Sequence, residues 1–209
     1  MTNNSKPGLL LVMSGPSGCG KGTIVRELLA KREDTVLSVS ATTRAPRPGE
    51  VDGVHYHFIQ KEEFLRMIGE NAFLEYAEYN GNFYGTPKAP VEAQLAAGQN
   101  VLLEIEVQGA EKVMDSGAEL VSVFITVPSM TELENRLRGR QTESEEAILS
   151  RLAIARKEMS RAYRYQYVVV NDTVAAAVER IEAIMTSENL RYARMKNTIL
   201  EVLEDVKTY

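Results

Sequence analysis

Residues Gly8 to Ser14 read Gly-Leu-Leu-Leu-Val-Met-Ser, a short apolar run between turn-forming residues. A run that is apolar at consecutive rather than alternate positions has the pattern of a strand covered on both faces of a parallel sheet, which predicts a strand from about Leu9 to Met13. After a glycine-rich stretch, Thr23 to Lys31 sets Ile24, Leu28 and Lys31 on one face with Val25 and Leu29 beside it, as in an amphipathic helix. Three more β-branched runs, Val101 to Glu106, Leu120 to Val127 and Tyr167 to Val170, are spaced widely enough for helical crossovers. The pattern predicts an α/β fold on a parallel sheet.

Between about Ser38 and Thr86 the texture changes. Val54, Tyr56 and Phe58 alternate with His55 and His57, and Asn80-Gly81 separates two short aromatic segments as a hairpin turn would. An inserted antiparallel unit is expected here. A second insertion is expected from Pro128 to about Arg164, where Leu133 and Leu137 begin one helix and Ile148, Leu152 and Ala155 mark another. Polar Gly139 to Glu143 joins them, giving a helical arm able to move. From Glu188 to Tyr209 the residues Tyr192, Met195, Ile199, Val202 and Val206 recur at intervals of 3 and 4, the seam of a terminal helix. That seam is expected to pack back on the core, with a contact between two copies of the chain as the alternative.

Composition narrows the class. The chain has 209 residues, 44% hydrophobic and 25% charged, which suits one globular unit with insertions and excludes a disordered or collagen-like chain. A net charge of -5 argues against a general grip on nucleic acid or an anionic membrane, so any anion site must be local. The single cysteine, Cys19, excludes an internal disulfide, and the early apolar run lacks the length and cleavage site of a leader. A cytoplasmic setting is expected.

The glycine-rich stretch carries the first candidate chemistry. Gly15-Pro-Ser-Gly-Cys-Gly20-Lys21 has G-x-x-x-x-G-K spacing, in which small residues let backbone N–H groups face phosphate oxygens while the lysine neutralises charge. Such a heptapeptide arises by chance in roughly one chain of fifteen at this length, so its weight comes from context: it follows a buried-type strand and opens a helix. The candidate nucleotide contacts are Gly15, Pro16, Ser17, Gly18, Cys19, Gly20, Lys21, Gly22 and Thr23. Gly22 stands where a magnesium-binding hydroxyl is usual and Thr23 follows it, so the metal is expected to be held mainly by phosphates and water. Cys19 reads as a small filler; a redox role would need a thiol pKa lowered by the helix terminus.

A second anion site is suggested by Ser40-Ala-Thr-Thr-Arg44-Ala-Pro-Arg47-Pro-Gly-Glu, followed by Tyr56. Arginine forks suit a phosphate dianion, and two prolines reduce the entropy of holding them ready. On these residues alone, solvated loop charges are the competing reading. His55 and His57 have no cysteine or carboxylate cluster beside them in the sequence and read as surface residues, not zinc ligands.

Together with the phosphate loop and the Ser40 to Phe58 stretch, five further motifs fall in the order and spacing of guanylate kinases, which the chain resembles from about Leu9 to Ser187. They are Phe73-Leu-Glu75-Tyr, Gly81-Asn-Phe-Tyr84-Gly-Thr86, Glu104-Ile-Glu106-Val-Gln-Gly109, Arg136-Leu-Arg-Gly-Arg140-Gln-Thr-Glu143 and Asn171-Asp172. The resemblance implies a P-loop kinase core (about 8–37, 88–127 and 165–187), a GMP-binding insertion (about 38–87), a mobile lid (about 128–164) and a C-terminal helix (188–209). It implies transfer of a phosphoryl group from ATP to GMP, with Mg2+. It also implies that Arg44, Arg47, Tyr56 and Tyr84 hold the GMP phosphate, while Ser40, Glu75, Thr86 and Glu106 meet guanine. Guanine offers two adjacent donors that one carboxylate can accept, whereas adenine has an unprotonated ring nitrogen there, so Glu75 is the main base reader. Lys21, Arg44, Arg136 and Arg140 are the implied catalytic charges. Arg151, which adjoins the lid, is placed with the lid arginines and among the GMP-binding residues, and Asn171 on the adenine side. Glu104 and Glu106 replace the aspartates more usual there, and Thr86 a serine. Two other readings compete: a binding module for phosphorylated partners that resembles these enzymes, and a kinase for another small phosphate ester.

Overall fold

The structure, a computed structural model, describes residues 6–79, 81–139 and 144–205. The strands are β1 (Leu10–Ser14), β2 (Thr35–Leu37), β3 (Ala41–Thr42), β4 (His57–Phe58), β5 (Phe73–Tyr79), β6 (Asn82–Pro87), β7 (Asn100–Glu104), β8 (Val121–Thr126) and β9 (Tyr167–Val170). Between and after them run the helices α1 (Lys21–Lys31), α2 (Lys61–Gly69), α3 (Lys88–Ala96), α4 (Val107–Asp115), α5 (Met130–Arg138), α6 (Glu145–Met159), α7 (Val174–Asn189) and α8 (Tyr192–Asp205).

Five strands form one parallel sheet in the order β2-β7-β1-β8-β9. The consecutive apolar run around β1 is explained by helices on both sides. Leu9, Leu11 and Met13 enter a core with Ile24 and Leu28 of α1 and Ile181 of α7, while Leu10 and Val12 enter a second core with Val91 of α3 and Val113 of α4. Each buried aliphatic side chain of this kind contributes about 1.5–3 kcal/mol. Because β1 lies between β7 and β8, the chain leaves it at a switch point, where the strand ends open a crevice for a ligand.

The inserted unit is a four-stranded mixed sheet, β4-β3-β6-β5, with β5–β6 and β3–β6 antiparallel and β3–β4 parallel. Its strand β4, His57–Phe58, is shorter than the alternation from Val54 to Phe58 predicts. Asp52 Oδ1 accepts from the Phe58 N–H at 2.8 Å and Gly53 takes φ 73°, so Val51 to Tyr56 form a turn and only His57–Phe58 is strand. Helix α2 was not expected. It seals the insertion's small core, where Phe64 stacks on Phe73 at 4.4 Å and on Phe83 at 5.4 Å. Gly81, at φ 73°, lies between β5 and β6; its predicted turn partner Asn80 falls outside the described residues.

The two helices predicted after Pro128 are α5 and α6. Their apolar residues Leu133, Leu137, Ile148 and Ala155 join the main core, so this arm is anchored at its base. The expected packing of the terminal seam on the core is not what the structure shows. Met195 is half-buried, but Tyr192, Ile199 and Val202 are exposed and every residue from Lys196 to Glu204 is open to solvent. The periodicity defines an apolar face without specifying what covers it. No described helix is long and apolar enough to cross a membrane.

Candidate active site

The loop after β1 is shaped by its neighbours. Gly15, Gly18 and Gly20 all take positive φ, which favours glycine, and each also lacks space for a side chain. A Cβ on Gly15 would sit 2.1 Å from the Ile125 carbonyl oxygen, one on Gly18 2.9 Å from Leu137 Cδ2, and one on Gly20 2.4 Å from Asn171 Nδ2. Gly20 caps α1 with no side-chain hydrogen bond, and the first turn holds no acidic residue, so backbone N–H groups and the positive end of the helix remain for an anion. Lys21 Nζ donates to the Gly15 carbonyl at 2.5 Å, which keeps the ammonium on the loop.

Two side chains brace the back of this loop. Asn171, 3% exposed, donates from Nδ2 to the Cys19 carbonyl at 2.7 Å. Arg136 donates to the same carbonyl at 3.3 Å and to the Asn171 carbonyl at 2.9 Å, while Glu132 accepts from its Nε at 2.8 Å. The Asn171 amide nitrogen is thus engaged with the loop. Cys19 is fully buried, and burial pushes its thiol pKa up, which leaves it a packing residue.

The insertion gathers the second set of groups. Arg44 offers both ends of its guanidinium to Glu50, at 2.9 and 2.8 Å, and its carbon lies 5.5 Å from the Tyr56 ring centre. The Arg47 backbone N–H donates to Glu50 at 2.7 Å, and Arg44 with this N–H lowers the Glu50 pKa to about 2. Tyr56 and Tyr84 meet edge to face at 6.1 Å. Arg44, Tyr56 and Tyr84 are therefore brought together, with the Arg47 side chain exposed beside them and Ser40, half-buried, accepting through its carbonyl from His57 N–H at 2.8 Å.

Glu75 and Thr86 are opposite one another across β5–β6. The Thr86 hydroxyl donates to Glu75 Oε1 at 2.8 Å, and the other carboxylate oxygen rests on α4, where a Cβ on Gly109 would approach it to 2.8 Å. Glu75 is 8% exposed, and burial raises its pKa. The chain thus holds a buried carboxylate oriented by one hydroxyl, able to accept two parallel donors.

A third group stands between these sites. The pairing Met13↔Glu104 brings the end of β7 beside the loop, and Glu106 caps α4. Although Glu104 is open to solvent by area, protein packing around its carboxyl raises its pKa, and nearby Lys21 opposes that rise. Glu158 of α6 faces the same charges: burial and Glu106 raise its pKa, Lys21 and the Ser17 N–H lower it, and its Oε2 is buried with no side-chain partner among the described residues. Arg151 is half-buried on α6, and Arg140 lies outside the described residues. Sequence reasoning missed Glu50, Gly109 and Glu158. Two signals were visible, Glu50 closing the Arg44–Arg47 segment and Gly109 closing the Glu104 to Gly109 motif, and Glu158 had none.

A glycine loop at the switch point of a parallel sheet, with a second sheet docked on α4, defines a P-loop kinase. A family model described as guanylate kinase matches residues 8–188. The chain is 52% identical over 198 residues to the guanylate kinase of Clostridium perfringens (strain SM101 / Type A), covering 95% of this chain and 92% of that one. It is also 52% identical over 200 residues to that of Caldanaerobacter subterraneus subsp. tengcongensis, covering 96% and 97%. The crystal structure of guanylate kinase from Anaplasma phagocytophilum matches with a TM-score of 0.72 at 38% identity, covering 90% of each chain. The chain belongs to the guanylate kinase family.

Proposed function

We propose that this chain transfers the γ-phosphoryl group of ATP to the phosphate of GMP, giving ADP and GDP, and that dGMP is also accepted. The observation carrying this reading is the buried Glu75–Thr86 pair, set against α4 in the same inserted unit as Arg44, Tyr56 and Tyr84. A carboxylate fixed by Thr86 accepts the ring N–H and exocyclic amine of guanine together, with Ser40 and Glu106 at the edges of the base; adenine would leave it unpaired. Arg44 and Arg47 hold the acceptor phosphate, with Glu50 keeping the Arg44 fork oriented and the two phenols closing the pocket.

On the donor side, the loop N–H groups and Lys21 hold the ATP phosphates, while Arg136, Arg140 and Arg151 bring positive charge from the lid. The reaction needs little beyond alignment and charge neutralisation, since the acceptor phosphate is already ionised near pH 7. Asn171 acts by holding the loop. The core, insertion and lid take the boundaries given above, with lid motion confined to the part beyond the Leu133–Leu137 anchor.

The donor set suits magnesium held mostly by phosphate and water. No group of three His, Cys, Asp or Glu among the described residues could hold a metal, and the candidate protein oxygens are Thr23 and Glu104, whose Oε1 lies 3.7 Å from the place of a Gly22 Cβ. Such an ion would supply positive charge to the ATP phosphates, with Thr23 and Glu104 the protein groups nearest to hold it. A cytoplasmic setting is proposed with this activity, since ATP and GMP are both supplied there. The test is ADP release from ATP and Mg2+ with GMP, dGMP, AMP, CMP, UMP or no acceptor. Turnover with the guanine nucleotides alone is expected; turnover with AMP, or with none, would refute the assignment.

A further inference from the structure

A carboxylate as buried as that of Glu75 is costly to keep charged unless a donor or a cation compensates it. Two elements meet β5 at this residue. From β6 comes the Thr86 hydroxyl, which is neutral. From α4 come Glu106 at its cap, Glu111, which Arg161 and Arg164 engage, and Lys112. Of these charges, Lys112 is the one whose field acts on Glu75.

The geometry shows how. Lys112 follows Gly109 by three residues, so both stand on one face of α4. Gly109 lies against the Glu75 carboxylate, while Lys112 Nζ donates to the Tyr76 carbonyl and lies 5.2 Å from the centre of the Tyr76 ring. Strand β5 is an edge of its sheet, with β6 as its one neighbour, so carbonyls on its outer side need partners from elsewhere. Lys112 satisfies one of them at the residue that follows Glu75. Although the lysine is exposed, its head is held by a carbonyl and an aromatic face, which keeps the positive charge beside β5.

We propose that Lys112 is a positioning residue of the acceptor pocket, which pins the edge of β5 to α4 and supplies the positive charge behind Glu75. This role presupposes that guanine is read by that carboxylate, as proposed above. Burial raises the Glu75 pKa, and the Thr86 hydroxyl and then Lys112 oppose the rise, so loss of the lysine lets the carboxyl take up a proton at higher pH. Once protonated, the carboxyl presents a donor of its own and no longer matches the two guanine donors.

Steady-state kinetics across pH test the role. Lys112→Met keeps the stem and removes the charge. It is expected to raise KM for GMP about 3- to 10-fold near pH 7 and to move the low-pH loss of GMP affinity to higher pH, with kcat, KM for ATP and melting temperature near wild type. Lys112→Arg, which keeps a cation over the ring, is expected to restore both readings. A Lys112→Met protein with the wild-type KM for GMP overturns the role. A raised KM whose pH dependence is unmoved, or an arginine variant no better than the methionine one, also overturns it, since either reduces Lys112 to packing. Glu75→Gln distinguishes these failures from failure of the guanine assignment: if that variant binds GMP as tightly as wild type, the carboxylate is not the base reader, whatever Lys112 does.

Discussion

Gly109→Ala separates recognition of the base from stability of the fold. The new Cβ would stand 2.8 Å from Glu75 Oε2 and 3.3 Å from its Cδ, whereas ordinary contact begins near 3.4 Å. The carboxyl must therefore retreat by about 0.6 Å, and its bond to the Thr86 hydroxyl, now 2.8 Å, turns or stretches with it. Losing one well-placed hydrogen bond to a charged group costs about 1.5–3 kcal/mol, so KM for GMP is expected to rise about 10- to 150-fold. The fold itself gains, since alanine at a helical position is favoured over glycine by about 0.5–1 kcal/mol, which offsets the local crowding. The melting temperature is thus expected within about 3 °C of wild type. Steady-state kinetics at saturating ATP, with calorimetry beside it, decide the matter. An unchanged KM for GMP, or an equal rise in KM for ATP, would refute the placement of guanine on Glu75.

Other perturbations probe the remaining groups. Because burial raises the Glu75 pKa, GMP affinity should weaken as pH falls at a higher pH than an ordinary glutamate would give; Glu75→Gln, poor at all pH values, should lack that limb in a KM–pH profile. The raised pKa also means that this residue's stabilising neutral form is present at low pH and lost as pH rises through the folded value. Glu50 has the opposite sign. Its contribution is present above 4.5 and lost as pH falls toward about 2, so Glu50→Gln should flatten acid denaturation over that window and raise KM for GMP by slackening Arg44. Asn171→Ala removes the 2.7 Å bond to the Cys19 carbonyl and should raise KM for ATP while leaving KM for GMP unchanged. Cys19, buried with a raised pKa, should react with thiol reagents only after unfolding; rapid labelling of native protein would contradict its burial.

The core was legible where local pattern and tertiary role coincide. The run around β1 is apolar at every position because both faces are covered, and the loop glycines follow where a strand turns into a helix. Helix α2 does leave a trace in the sequence, since Phe64, Met67 and Ile68 recur at helical spacing behind acidic Glu62 and Glu63, but that short signal lies among strand-like segments, and its buried face is set against Phe73 and Phe83. The alternation at Val54 to Phe58 misled for the converse reason, since Gly53 and the Asp52 side chain bend that segment. Glu50 is adjacent to the arginines in sequence, yet its bidentate hold on Arg44 depends on how an irregular loop closes. Contacts made across the fold, such as Gly109 on Glu75, leave no periodic trace. The terminal seam was read correctly as a pattern and wrongly as to its neighbour.

Leu137 rests on the phosphate loop so closely that a single methyl group on Gly18 would meet it at 2.9 Å. Mechanically, α5 is a lever whose fulcrum is seated in the cradle, so the arm cannot tilt at this end without pressing on or releasing the loop. If the loop holds the donor as proposed, donor affinity and the seating of α5 would be coupled through this contact. A bulkier side chain at Gly18 would therefore have to unseat α5 as well as strain the loop.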